Sequence, residues 1–147
     1  VSKSPRSLAR KRTFFVALAS ELVRLIETET ELNTPDAAGQ TIRQQLEFNA
    51  AKAAALGWAK DARLDPFEFS VPHRFHLYAS TLLYLYSSMS AGRQVSESGV
   101  QAHTWSDMLA WTELNEYVLD PYEIDTLKAM DVAYVRTFNR LKAERSR

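Results

Sequence analysis

The 147-residue chain is long enough for one domain with its own core, and its 46% hydrophobic and 24% charged content is that of a globular protein, not a disordered one. Lysine plus arginine number 18 and aspartate plus glutamate 18, so no net field draws the protein toward nucleic acid or a membrane. The absence of cysteine excludes disulfide scaffolds, thiolate zinc sites and cysteine nucleophiles and fits a reducing cytoplasm, while four Gly and five Pro favour helices with short connections over a turn-rich β fold.

The first helix is predicted from about Ser7 to Glu31. Phe14, Phe15, Leu18, Leu22, Leu25 and Ile26 recur at 3–4 spacing on one face. Its basic start followed by FFVALA resembles a signal peptide. Glu21 and Arg24 interrupt the apolar run, and no small-residue cleavage site follows, so the stretch reads as a helix of the mature protein. Thr34 as N-cap and Pro35 at N1 predict a second helix from Pro35 to about Lys60. It carries Ile42, Leu46, Ala50, Ala53 and Ala54, with Gly57 as an early stop. The two helices and their short break suggest an antiparallel hairpin.

Asp61 to Pro72 reads as a connection, with a short alternating piece from Phe67 to Val71 and Ser70 as a cap for the next helix. The third helix, about Val71 to Ala91, is apolar nearly all round, with Phe75, Tyr78, Leu82, Leu83, Tyr84, Leu85, Tyr86 and Met89. Such a helix is a central one or is covered on two sides. A polar loop, Gly92 to Gln101, follows. Thr104 with Asp107 opens a fourth helix to about Tyr117, whose apolar set is Trp105, Met108, Leu109, Trp111 and Leu114. Asp120, Pro121 and Glu123 then form a capping-box start for a fifth, to about Leu141, with Ile124, Leu127, Tyr134, Phe138 and Leu141 on one stripe. The fold class is therefore all-α. About five helices form an N-terminal helical hairpin packed on a C-terminal three-helix unit, in a single domain over 1–147 that subdivides into 1–62 and 70–147.

Asp131 interrupts the apolar stripe of the last helix, between Leu127 and Tyr134. It lies either at the rim or buried and paired. An unpaired buried carboxylate costs several kcal/mol, on the order of what a lost buried hydrogen bond or charge pair costs, or takes up a proton. Candidate partners are the indoles of Trp105 or Trp111, free helix-start amides, Arg74 and, first, Arg93 in the loop between the third and fourth helices.

The remaining constellations point away from chemistry. His73 and His76 share a helix face with Glu68 nearby, but His103 lies in another segment and no second Glu-x-x-His helix exists, so no metal site is expected. No Gly-x-Ser-x-Gly, Gly-x-Gly-x-x-Gly or phosphate-loop motif occurs. These readings predict no catalytic residues, no metal and no cofactor. Cations gather at the two ends: Lys3, Arg6, Arg10, Lys11 and Arg12, then Arg136, Arg140, Lys142, Arg145 and Arg147. They read as solvated tails or as a nucleic-acid patch. The last two helices could form a helix-turn-helix, but Asp120, Glu123 and Asp125 would put carboxylates against phosphates.

The segments FHLYASTLLYLYSSMSAGR, TWSDMLAWTELNEYVL and DPYEIDTLKAMDVAYVR, from about Pro72 to Arg140, resemble small tailed-phage proteins encoded among tail genes and identified as tail assembly chaperones. The shared pattern is an aromatic-rich helix, a loop with Arg and Gly, a Trp opening a short helix, and a last helix with Met-Asp-x-Ala-Tyr. Val100-Gln101-Ala102-His103 stands where those proteins have a proline-rich approach to the Trp. The resemblance implies a non-enzymatic protein of the host cytoplasm that binds the tape-measure protein or tail-tube components, with self-association left open and no membrane. Tyr78, Tyr84, Tyr86, Trp105 and Trp111 are the candidate anchors, or are core. The alternatives are a structural virion protein of the tail or head completion, and a nucleic-acid-associated protein using its basic ends.

Overall fold

In a computed structural model, residues 4–56 and 71–147 are described. Five α-helices are present among the described residues: α1 (Pro5–Asn33), α2 (Ile42–Ala55), α3 (His76–Ser90), α4 (Trp105–Leu114) and α5 (Pro121–Arg145). A 3₁₀ turn, His73–Phe75, leads into α3, and no strand occurs among the described residues. No helix among them is long and apolar enough to cross a membrane. The extended piece expected at 67–71, the Ser70 cap and the boundary near 61–66 fall outside the described residues, apart from Val71.

The fold is organised by α1 lying along α5 in the same direction. At their starts Lys11 bridges Asp120 at 2.7 Å, and the Phe15 ring stacks on Tyr122 with centroids 5.5 Å apart. At their ends Arg140 reaches Glu31 at 2.7 Å and Arg145 donates to the Pro35 carbonyl. The α3 helix runs the same way beside both. Phe14 meets Phe75 near the start, and Tyr86 meets Asp131 further along. One apolar cluster joins these helices, with Leu18, Leu22, Phe75, Leu82, Leu127 and Met130 almost fully enclosed. Each such side chain contributes roughly 1.5–3 kcal/mol of burial.

Parallel neighbours need long returns, and α2 and α4 lie within those returns. The start of α2 is pinned to the end of α1 by Arg43, which donates to both oxygens of Glu29 at 2.7 Å and to Asn33 at 2.8 Å. Its Ile42, Leu46 and Phe48 are exposed. The helix begins seven residues later than the Thr34–Pro35 signal predicts, at Ile42 rather than Pro35. Asp36 accepts from the amides of Ala38 and Gln40 and closes a turn through left-handed Gly39. The true start is a reciprocal pair: Gln44 N–H donates to the Thr41 hydroxyl, and Thr41 N–H donates to the Gln44 side chain.

One further expectation is corrected. The third helix is not enclosed all round. Ala79, Leu82, Leu85, Tyr86 and Met89 face inward, while Leu77, Tyr78 and Tyr84 face outward. The fourth helix buries only Met108 of its apolar set. In both, one face suffices because α1 and α5 already supply the opposite wall of the core. The two cap signals of the C-terminal half held. Thr104 with Asp107 and Asp120 with Glu123 form complete capping boxes, the second with Pro121 in the first turn.

Candidate functional site

The polar centre of the molecule is Asp131, which is 0% exposed. Its Oδ1 accepts from Arg93 Nη2 and, at 3.4 Å, from the Tyr86 hydroxyl. Its Oδ2 accepts from the His103 backbone N–H at 2.7 Å. Arg93 also donates to the Gln101 carbonyl, and its guanidinium lies over the Tyr134 ring, 5.1 Å from the centroid. Lys128 donates to the His103 carbonyl. Burial, with the Asp131 charge, pushes the Tyr86 hydroxyl well above its ordinary value. Burial, helped by the nearby Arg93 charge, lowers the His103 imidazole.

This cluster fastens the 91–104 loop to α5, and Asn139 repeats the device one end further on. Its side-chain amide accepts from Val100 N–H and donates to the Val100 carbonyl, both at 2.9 Å. Gly99 has φ +113°, and a Cβ there would collide with the Asn139 side chain. Lys142 donates to the Ser96 carbonyl. The loop therefore enters Thr104 from a fixed direction, which sets where α4 lies. Such a cluster holds backbone in place. Its carboxylate is enclosed and engaged by three donors, an arrangement suited to architecture and unsuited to proton transfer with a substrate.

The candidate anchors separate into two groups. Tyr86 is 6% exposed with its hydroxyl turned to Asp131, so it belongs to the core and offers nothing to a partner. Trp111 is half-buried and stacks on Tyr117, with ring centroids 5.4 Å apart and an interplanar angle of 5°. Tyr78 is exposed at one edge and packs its ring on Phe14 and Phe15. Tyr84 and Trp105 are exposed.

Sequence reasoning did not single out the exposed aliphatic residues of α4 and of the turn after it. Leu109, Leu114 and Val118 face solvent, the last two at 85% and 96% exposure. Leu114 and Val118 flank a turn built with care. Asn115 N–H and its side-chain amide both donate to the Trp111 carbonyl, Tyr117 N–H donates to Thr112, and Glu116 takes a left-handed φ of 55°. The sign in the sequence was amphipathic spacing on a helix with too few partners to cover it.

The acidic start of α5 is occupied. Lys11 holds Asp120, and the caps use Asp120 and Glu123. The basic ends do not converge, because α1 and α5 run in the same direction and carry their cations at opposite ends. Arg140, Lys142 and Arg145 are bound to Glu31, Ser96 and Pro35. His73 and His76 have ring centroids 4.9 Å apart, and His76 Nε2 lies 2.8 Å from the Val71 carbonyl. No group of three or more metal-ligating side chains occurs among the described residues, and Glu68 lies outside them.

The segment from the 3₁₀ turn through the middle of α5 thus forms one wired unit: aromatic helix, Arg loop, Trp helix and Asp helix. Residues 73–136 match the phage tail assembly chaperone family. The match contains Arg93, Trp105 and Asp131 and stops before Asn139. Neither the curated proteins nor the solved structures contain a match to the chain.

Proposed function

We propose that the chain is a non-enzymatic chaperone of phage tail assembly, working in the host cytoplasm. It covers an apolar segment of a tail component, the tape-measure or tail-tube protein, until assembly. The observation that carries this reading is the exposed apolar face of α4 and the turn after it, inside the family-matched segment. Leu109 on the helix and Leu114 and Val118 at the hydrogen-bonded turn after it are exposed aliphatics close together in the chain, and contiguous exposed apolar surface is what marks an interaction site. Trp105, Tyr84, Tyr78 and the rim of Trp111 are further candidate anchors, aromatics being favoured at interfaces.

The test is co-expression with the tape-measure and tail-tube proteins of the same phage. The soluble fraction of one of them rises several-fold in the presence of this chain, and finished particles lack it. An unchanged soluble fraction overturns the chaperone reading. Recovery of the chain from purified particles at fixed copy number replaces it with a structural virion role.

A further inference from the structure

The exposed face of α4 has the geometry of a helix-packing surface. Trp105, Leu109 and, at its end, Glu113 form one i,i+4 row of α4, and Ser106, Ala110 and Leu114 form the next, with Val118 beyond the turn that ends the helix; all are exposed. Neighbouring i,i+4 rows are the ridges that a second helix straddles, and the small Ser106 and Ala110 let it approach closely. The face also has a sign. Between Arg93 and Lys128 the chain contains no lysine or arginine, but has Glu97, Asp107, Glu113, Glu116, Asp120, Glu123 and Asp125. Asp107, Asp120 and Glu123 serve the helix caps, and Lys11 answers Asp120. Glu113 and Glu116 border the apolar rows, exposed and without an ion pair among the described residues. Lys128, beside Trp105 at the other end, is held on the His103 carbonyl.

We propose that this face docks an amphipathic helix of the tail protein whose apolar stripe is flanked by lysine or arginine. This rests on the chaperone reading and adds the chemistry of the partner segment. The apolar rows supply affinity, and the glutamates select the sign of the flanks and the register. An acidic helix is rejected by like charge at Glu113 and Glu116.

Two labelled synthetic peptides of about 20 residues, long enough to form a helix, test it by fluorescence anisotropy with the full chain. They share one Leu/Ile stripe, flanked in one by lysine and in the other by glutamate. The lysine peptide binds at least about tenfold tighter at low salt, and the gap narrows as salt rises. Glu113→Lys with Glu116→Lys reverses the preference. Leu109→Ser with Leu114→Ser abolishes binding of the lysine peptide while leaving the chain folded with only a small drop in thermal midpoint, since both side chains are mostly exposed. Equal binding of the two peptides, or undiminished binding by the Ser variant, overturns the proposal. The two readings fail separately. If the Ser variant still keeps the tail protein soluble, the chaperone stands and the α4 site falls. If the unaltered chain never changes that solubility, the chaperone reading falls whatever the peptides do.

Discussion

The side-chain amide of Asn139 meets both backbone groups of Val100, taking its N–H and giving to its carbonyl, each at 2.9 Å. The geometry is that of a strand pairing made by one side chain, and it fixes a loop that has no helix of its own. Val100 is buried, so its polar groups have no water to fall back on. Asn139→Ala leaves both unanswered and costs about 1–3 kcal/mol. Gly99→Ala costs a similar amount through its left-handed backbone and the collision with Asn139. Urea denaturation gives both values, and the double variant should lose less than the sum because the two changes break one contact. A fully additive pair would show that the contact is not shared.

Arg93 and Asp131 depend on each other more strongly. The Asp131 side chain is fully enclosed and that of Arg93 is 7% exposed. Asp131→Ala strands a buried guanidinium and the His103 amide, at about 3–5 kcal/mol. Arg93→Met combined with Asp131→Leu removes both charges and costs less than Asp131→Ala alone, because no uncompensated charge remains. Thermal and urea unfolding of the set provides the comparison. Wild-type stability in Asp131→Ala would remove the pairing as an architectural element.

The pH dependence follows from three shifts of known sign. The His103 imidazole is lowered by burial and by Arg93. A histidine whose folded pKa lies below its unfolded value, about 6.5, stabilises fully above that value and loses its contribution as pH falls through the folded pKa. Burial pushes the Asp120 carboxyl up, but hydrogen bonds from Lys11 and from the Glu123 and Tyr122 amides more than reverse this and leave it depressed. Its contribution is present above the unfolded value, about 3.9, and is lost as pH falls below it. Lys11 is raised through its hydrogen bond to Asp120, so its contribution is lost only on the alkaline side, as pH rises through the folded value. The thermal midpoint should therefore fall between pH 7 and 5, roughly the His103 range, and fall again below about pH 4. His103→Gln flattens the first fall and leaves the second. An unchanged slope between those two pH values in the variant would assign that loss to other groups.

What the sequence made legible was local. Both capping boxes in the C-terminal half are set by residues three apart, and both are present as read. Asp131 stood out because a carboxylate on an apolar stripe needs an answer. The start of α2 was misread because two start signals compete there. Thr34–Pro35 is the more familiar, but Asp36 with left-handed Gly39 closes a turn first, and Thr41 with Gln44 wins. Which apolar residues remain outside was not legible. Leu109 and Met108 are neighbours on one amphipathic helix, and the loop fastened to α5, which sets where α4 lies, decides that Met108 goes in and Leu109 stays out. Asn139 carried no local signal, since its partner is 39 residues away.

Glu116 offers the last test, at the turn that presents Leu114 and Val118. It holds a left-handed φ of 55° without being glycine or asparagine, which costs on the order of 1 kcal/mol relative to glycine. The conformation persists because Asn115, Glu116 and Tyr117 all place their amides on carbonyls of the preceding turn, and Trp111 stacks on Tyr117. Glu116→Gly keeps those bonds and releases the strain, so unfolding free energy rises by about 0.5–1 kcal/mol. Glu116→Val, β-branched at a positive φ, lowers it by about 1–2 kcal/mol. Unfolding curves for both variants decide the sign. A loss of stability in Glu116→Gly would mean that the glutamate side chain itself, and not the hydrogen-bonded backbone, holds the turn. If the backbone holds it, the exposed aliphatics are displayed by a preformed surface, which lowers the ordering cost of docking a partner helix.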